Sequence, residues 1–280
     1  MGRPVRLLGH PSLLIGGALT GGIAAVALVA LVWTPRSPTA MAVAERLQGP
    51  SVRHLFGTDA FGRDVLSQLM VGATTSFAIA LAAIGLALVV GTVLGLWAAS
   101  RAGSLASTAV MRISDFAFAF PVVLTAMLVA AIREPGAMNV VLAVALFNVP
   151  VFVRLVRGAA LQVSALDFVA AARLAGLGEA RILFSEILPN LLGPIVVQAT
   201  IQFALAILAE AGLSYLGLGV RPPNPSWGRM LAEAQTYMGR QPGLAIFPGL
   251  AIAVSVIGLN LLGDGLRDLL DPKRRPTPSG

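Results

Sequence analysis

Long apolar runs separated by short polar segments make up most of this sequence of 280 residues. Six such runs lie at residues 13–33, 76–99, 116–132, 139–153, 195–218 and 244–262. A helix needs about 20 apolar residues to cross a hydrocarbon core of about 30 Å. Each run therefore predicts a transmembrane helix, and the fourth run, which is short, is extended by residues at either end. We expect an all-α, polytopic membrane protein with six transmembrane helices.

Composition supports this class and excludes others. Hydrophobic residues make up 56% of the chain, charged residues make up 12%, and the mean hydropathy is +0.83, so the chain is far more apolar than an ordinary globular domain. The net charge of +7 comes from basic residues scattered between the apolar runs, without the basic helix or aromatic ladder that indicates nucleic-acid binding. With no cysteine and only two histidines, His10 and His54, the sequence predicts no disulfide, metal site or cofactor.

Basic residues suggest the orientation of the chain in the membrane. The first run follows Arg3 and Arg6 and exceeds the roughly 7–15 apolar residues of a signal-peptide core. We therefore interpret it as an uncleaved first span whose N-terminus lies in the cytoplasm. Six spans then return the C-terminus to the cytoplasm. Twelve of the 20 basic residues fall on that side, a modest bias in the direction of the positive-inside rule, which counts least for the longest outside loops.

Glycines recur in two of the predicted spans at spacings that favour close helix packing. The first span contains Gly16, Gly17, Gly21 and Gly22, and the second contains Gly91 and Gly95 in the GxxxG spacing. In a membrane, small residues let two helix backbones approach each other closely. We expect both sets of glycines to face other helices rather than lipid.

Residues 168–190 form a moderately polar, helix-forming segment between the fourth and fifth runs, and they are typical of a docking element. The spacing of Ser164 and Asp167 predicts a helix start in which both side chains satisfy free N–H groups. Gly176 or Gly178 is expected to end the first helix. Helical spacing places one aromatic residue and three alanines on a single face, namely Phe168, Ala171, Ala172 and Ala175. Such a face lets the backbone of another protein approach closely.

Polar contacts at this face are expected from Asp167 and Arg173, which lie beside it. A second helical run should begin at Arg181 and continue to Leu188, where Pro189 breaks it. The alternative interpretation of the segment is an amphipathic helix at the membrane interface that only joins two spans.

The same segment resembles the cytoplasmic "EAA" loop of bacterial ABC-importer permeases. The matching positions are Ala171, Ala172, Gly176, Leu188 and Pro189. In that family the loop is the coupling helix held in a cleft of the ATP-hydrolysing subunit, so the resemblance implies this role here, with Asp167, Phe168 and Arg173 at the same contact. Ala170 stands where the family usually has a glutamate, which leaves Asp167, one turn earlier, as the acidic side chain for the corresponding ion pair.

A second resemblance lies in the polar segment 34–72, whose residues 57–64 read GTDAFGRD. They resemble the GTDxxGRD signature of the dipeptide, oligopeptide and nickel branch of these permeases. The matching positions are Gly57, Thr58, Asp59, Gly62, Arg63 and Asp64. The glycines permit a tight turn, and the three charged side chains are expected to form a local network rather than a catalytic site.

Four further stretches resemble the same family: DFAFAFP at 115–121, AEAGLSYLGLG at 209–219, PPNPSWG at 222–228 and NLLGDGLRD at 260–268. Pro121 is expected to kink the third span. Asp115 and Glu210 are candidate pore or intramembrane polar residues, because an ionisable side chain within a span is costly and indicates a pathway or a buried partner. The alternatives are an interfacial position for Asp115 and a structural hydrogen bond or ion pair for Glu210. Trp227 is expected at the membrane interface or against a soluble partner.

Together these resemblances imply one half of the translocation pore of a bacterial ABC importer for di- or oligopeptides in the cytoplasmic (inner) membrane. The implied partners are a second homologous permease, two ATPase subunits, an extracytoplasmic substrate-binding protein and the lipid bilayer. The sequence lacks the GxxxxGK[ST] phosphate loop, so the chain is not expected to be an enzyme. We expect a first span and extracytoplasmic loop at residues 1–72, a permease domain at 73–272 with a coupling loop at 158–192, and a polar tail at 273–280.

Three other interpretations stay open at this point. Within the same family, the solute is nickel or another small molecule. Outside it, the chain is an ion-coupled secondary transporter, which requires several membrane-embedded charges and broken helices at matched positions in two halves; Glu210 alone gives that alternative little support. The third interpretation is a structural membrane subunit that forms no pore.

Overall fold

The structure is a computed structural model that describes residues 11–132, residue 134 and residues 136–270. Within these ranges the regular structure is helical, apart from one isolated bridge between Thr58 and Asp64. The all-α expectation is therefore confirmed. The expectations for Arg3, Arg6 and the tail at 273–280 fall outside the described residues.

Ten α-helices follow one another in the described part of the chain. In order they are α1 (Pro11–Val29), α2 (Val65–Ser100), α3 (Leu105–Phe118), α4 (Val122–Ile132), α5 (Ala137–Ser164), α6 (Asp167–Leu174), α7 (Glu179–Arg181), α8 (Leu188–Tyr215), α9 (Trp227–Ala234) and α10 (Gly243–Leu270). Five of the described helices are long and apolar enough to cross a membrane, and a sixth span results if α3 and α4 form one bent span. This arrangement agrees with the multi-pass protein predicted from the apolar runs.

The third predicted span differs from the expectation in its shape. Residues 116–132 were expected to form one kinked helix, whereas α3 ends at Phe118 and α4 begins at Val122, at an angle of 91°. Pro121 lies at the break and explains it, because proline lacks an N–H group and its ring clashes with the preceding turn. The kink at Pro121 is thus confirmed as a sharp break, and the helix before the break begins at Leu105, outside the predicted apolar run.

Helices α2 and α5 pack closely over two glycines within the membrane region. A Cβ atom added at Gly91 would lie 2.5 Å from Cβ of Phe152, and one added at Gly95 would lie 2.8 Å from Cβ of Val156. Phe152 and Val156 are fully buried. The GxxxG spacing therefore serves helix contact, as predicted, and the two helices run in the same direction because both pairs of contacts rise together in sequence.

The expectation for the first span was only partly right. A Cβ at Gly16 would overlap the backbone of Leu262 on α10, but nothing lies within 4 Å of a Cβ at Gly17, Gly21 or Gly22. The close contact is completed from the other side, because Gly258 packs on Leu19 and Thr20 of α1. Sequence spacing identified small residues without showing which face of α1 meets its neighbour.

The start of α8 contradicts the prediction that Pro189 breaks the helix. A π-helical turn at Ile182–Ile187 follows α7, and the Leu188 N–H donates to the Leu183 carbonyl across it. Pro189 follows this π-helical turn directly, near the start of α8, so the residue without an N–H group lies where the regular helical hydrogen-bond pattern is already interrupted. The second helical run and the fifth span are therefore continuous.

Gly91 and Gly85 provide a matched test of the α2–α5 contact. Both lie in α2, where glycine-to-alanine changes favour a helix by roughly 0.5–1 kcal/mol, but a Cβ at Gly85 meets nothing within 4 Å. Gly91→Ala should destabilise the detergent-solubilised protein by about 1–3 kcal/mol through overpacking, whereas Gly85→Ala should be neutral or stabilising. Thermal unfolding midpoints measure both, and equal midpoints for the two variants would refute the close contact.

Candidate functional site

Helix α6 lies at the end of the α2–α5 pair and is attached to it by one buried side chain. Val169 is fully buried and packs in a cluster that includes Val156 of α5, Ile182 and Ile187. Ala172, on the same side of α6, is half-buried against this cluster. The helix is therefore fixed along one stripe, and its other face is free.

The free face of α6 carries most of the residues predicted for docking. Phe168 is 43% exposed, and Ala171 and Ala175 are also exposed, so an aromatic side chain projects from a surface of small residues. Gly176 follows the helix with φ of +78°, which confirms the prediction that a glycine in the left-handed conformation ends it. The predicted cap at its start is wrong, because Ser164 is the last residue of α5 and α6 has no side-chain cap.

The remaining predicted docking residues divide between the surface and the interior. Asp167 is the first residue of α6 and is exposed, and Arg173 pairs with Glu179 at 3.4 Å, with both side chains about half exposed. Pro189 is exposed, but Leu188 is half-buried and packs against the Val169 cluster. The structure thus brings the α6 residues together on one surface and gives Leu188 a packing role.

At the other end of α2, the GTDAFGRD segment folds as a compact turn. Gly57 and Gly62 have φ of +79° and +75°, and a Cβ at either position would overlap the carbonyl of a neighbouring segment, that of Gln48 or Ala42. Thr58 donates its hydroxyl to the Glu45 carbonyl and accepts from the Gln48 N–H at 2.9 Å. Only glycine satisfies both the conformation and the space at these two positions.

Asp59 is the centre of the predicted charge network. Its carboxylate accepts from the Arg63 side chain at 2.6 Å and from the Gln68 amide at 2.9 Å. Arg63, which is 4% exposed, donates in turn to Glu233 of α9 at 2.6 Å, and Glu233 also pairs with Arg229 at 2.5 Å. The network is therefore larger than predicted, and it ties the loop to α9.

Asp64 does not join the Asp59–Arg63 network as predicted; it makes a separate set of contacts and starts α2. Its carboxylate caps the helix by accepting from the Ser67 N–H at 2.9 Å, and it lies 2.9 Å from the His54 ring. The other nitrogen of His54 lies 3.3 Å from Glu45. Sequence reasoning missed Glu45, His54 and Glu233 as partners, and only the fold brings them to the motif.

Trp227 does not have the exposed position predicted for it. The side chain is 2% exposed, its indole N–H donates to the Leu69 carbonyl at 3.0 Å, and its ring packs edge-on to Phe77. A Cβ at Gly72 would press on the same ring. Trp227 therefore anchors the start of α9 to α2, and it is not available to a soluble partner or to lipid.

The two candidate intramembrane carboxylates have different surroundings. Glu210 is fully buried, and its carboxylate accepts hydrogen bonds from the hydroxyl groups of Ser76 and Ser214, both at 2.7 Å. Asp115 is about half exposed and pairs with Arg154 of α5 at 2.5 Å. Glu210 of α8 is thus hydrogen-bonded to α2, which agrees with the structural alternative. Asp115 of α3 instead forms an ion pair with α5 at the surface. Whether either residue faces a pore stays a prediction.

A cavity of about 260 Å³ between α4, α5 and α8 was not anticipated. Asn148 and Gln202 are its polar lining residues. Each is a neutral polar residue within an apolar run, a signal that attention to ionisable residues alone overlooked.

Comparisons with known proteins agree with this architecture. The chain is 42% identical over 250 residues to the dipeptide transport system permease protein of Alkalihalophilus pseudofirmus, covering 89% of this chain and 82% of that relative. It is 46% identical over 226 residues to the glutathione transport system permease protein of Pectobacterium atrosepticum, covering 81% of this chain and 75% of the relative.

The fold resembles that of a solved transporter. An inward-facing conformation of the MetNI methionine ABC transporter has a chain that matches with a TM-score of 0.61 and 18% identity, over 73% of this chain and 97% of the solved one. Residues 91–276 match the family of binding-protein-dependent transport system inner membrane components. Because that match covers more than half of the sequence, this chain belongs to that family.

Proposed function

We propose that this chain forms one half of the translocation pore of a peptide importer and couples it to ATP hydrolysis through α6. The exposed Phe168 and alanine face, on a helix fixed from behind by Val169, carries this proposal. It supplies a surface for a partner at one end of the α2–α5 pair, opposite the loop that carries Asp59 and Arg63. The peptide class is supported by relatives whose names specify dipeptide and glutathione transport.

Family membership supplies the framework for the partners. Because the family is binding-protein-dependent, it implies an ATPase and a substrate-binding protein, and the chain is a transport subunit rather than an enzyme. Membership in this family also excludes two of the earlier interpretations, an ion-coupled secondary transporter and a structural subunit that forms no pore. The finer assembly that we propose contains a second homologous permease and two ATPase subunits in the bacterial cytoplasmic membrane.

In this assembly both termini and α6 lie in the cytoplasm, and the 34–72 loop faces outwards. The proposed sequence of events is mechanical. Closure of the ATPases moves α6, and the buried Val169 transmits that movement to α5 and its neighbours. The spans then reorient as packed bodies between inward-facing and outward-facing states. Residues 158–192 thus act as the coupling part of a permease domain at 73–272.

The outer loop has a supporting role in the same proposal. Arg63 holds Asp59 of the loop and Glu233 of α9 in one buried network, so the two outer segments keep one relative position. A rigid outer surface lets the binding protein dock without first ordering the loop, and this lowers the entropic cost of association. The GTDAFGRD residues therefore shape the docking surface and do not contact the solute.

Phe168→Ala tests the coupling face. Because the side chain is 43% exposed, its removal should leave the thermal midpoint nearly unchanged, but the loss of a central aromatic contact should weaken ATPase binding by more than about 1 kcal/mol. Co-purification of the ATPase subunits and solute-stimulated ATP hydrolysis measure the effect. Leu55→Ala, at a residue 60% exposed in the outer loop and far from α6, is the control for co-purification and should leave ATPase capture unchanged. Full ATPase capture by Phe168→Ala would refute the docking role of this face.

Arg63→Met tests the outer network. Removing Arg63 leaves Asp59 without a cationic partner, whereas Glu233 keeps Arg229; an uncompensated buried carboxylate should cost about 3 kcal/mol of stability and reduce uptake that depends on the binding protein. Arg53→Met is the matched change, since Arg53 also pairs with a carboxylate, that of Glu45 at 2.6 Å, but is 66% exposed, so it should cost less than about 1 kcal/mol. Similar losses in the unfolding midpoint for both variants would contradict a structural role for Arg63.

A further inference from the structure

The cavity between α4, α5 and α8 lies deep in the membrane region. Asn148 is near the middle of α5 and Gln202 is near the middle of α8, and both line the cavity. Its other lining residues are apolar, among them Val122, Val144 and Phe147, and none of the lining residues is ionisable. Two neutral amides therefore stand alone in an apolar chamber.

Asn148 has a hydrogen-bonding atom without a partner. The residue is 4% exposed, and its amide nitrogen donates to the Val144 carbonyl at 2.7 Å. Its Oδ1 atom accepts no hydrogen bond from any residue that the structure describes. A buried acceptor left in this way costs about 1–3 kcal/mol. A hydrogen-bond donor from outside the described residues would therefore stabilise Oδ1 of Asn148.

One of the helices around the cavity begins at it, and another contains a proline two residues beyond Asn148. Val122, the first residue of α4 after the break at Pro121, lines it, and the first N–H groups of any helix have no partner within that helix. Pro150, inside α5, has no N–H group, so the Leu146 carbonyl loses its usual helical donor. Irregular backbone deep in a membrane is tolerated where it borders a cavity, and solute sites of transporters occur at such broken helices.

We propose that Asn148 and Gln202 form a contact for the backbone amides of a peptide in transit. Oδ1 of Asn148 accepts a peptide N–H, and the Gln202 amide offers both a donor and an acceptor to the same strand of backbone. The inference rests on the proposed peptide function. Side-chain amides match the peptide bond in polarity. Because the lining of the cavity carries no charge, it binds peptides with different side chains weakly enough to release them again.

The size of the cavity agrees with a partial site. At about 260 Å³ it falls just below the roughly 300–1,000 Å³ typical of a complete ligand pocket. It is far larger than the roughly 10–15 Å³ needed to hold one water molecule. A single stretch of peptide backbone fits this description.

The test uses the complete importer in proteoliposomes, with the loaded binding protein and two probes. The probes are alanyl-alanine and its analogue methylated at the peptide nitrogen, each supplied at equal occupancy of the binding protein. The wild type should transport the methylated dipeptide roughly three- to tenfold more slowly, the effect of one hydrogen bond. Asn148→Leu should transport alanyl-alanine slower by that factor, lose the discrimination between the probes, and keep its stimulated ATP hydrolysis.

Two further variants make the result decisive. Gln202→Leu should also reduce uptake of alanyl-alanine without loss of stimulated ATP hydrolysis. It provides the test if the Asn148→Leu importer does not assemble. Asn260→Leu is the matched control, because Asn260 makes the same intrahelical bond, to Val256 at 2.9 Å, but lies exposed on α10; its uptake should equal that of the wild type.

The two proposals fail in different ways. If the wild type transports both probes at one rate, or if Asn148→Leu discriminates between them as the wild type does, the contact is overturned and the importer function stands. Parallel losses of uptake, hydrolysis and thermal stability in both cavity variants would make the amides structural and would also overturn it. Absence of any dipeptide uptake by the wild type would instead overturn the proposed peptide function.

Discussion

The close approach of α2 and α5 is the contact on which the rest of the structure depends. Lipid provides no hydrophobic driving force between helices, so the pair is held by packing over Gly91 and Gly95. Because α2 starts at the outer loop and α5 leads into α6, this one contact links the two ends of the molecule. Densely packed helices move as bodies rather than deform, so the proposed coupling requires that a displacement of α6 be passed along this pair.

Polar groups in and near the membrane mostly hold segments together. Arg63 neutralises Asp59 and Glu233, and Glu210 takes its hydrogen bonds from Ser76 and Ser214. Such complete pairing is what a low-dielectric environment demands, since an unsatisfied group costs several kcal/mol in hydrocarbon. Asn148 departs from this pattern, as do Thr20 and Thr92, because a buried oxygen of each has no partner among the described residues; of the three, Asn148 lines the cavity between α4, α5 and α8.

Sequence patterns predicted the features that depend on local chemistry. Apolar length predicted the spans, glycine spacing predicted the contact at Gly91 and Gly95, and the left-handed preference of glycine predicted the end of α6 at Gly176. Features set by distant segments were missed. Glu233 reaches the loop across 170 residues of sequence, and the inward direction of Trp227 depends on its neighbours in α2. Both are properties of tertiary packing, which no local spacing encodes.

Site-specific cross-linking tests the central claim, that α6 docks an ATPase. The sequence has no cysteine, so Ala171→Cys places a single thiol on the exposed face of α6, and Leu55→Cys places one on the outer loop. With a photoreactive maleimide on each thiol in membranes that contain the whole importer, residue 171 should cross-link to the ATPase subunit, and residue 55 should not. An adduct of residue 171 with lipid alone, in membranes that take up peptide, would contradict the account.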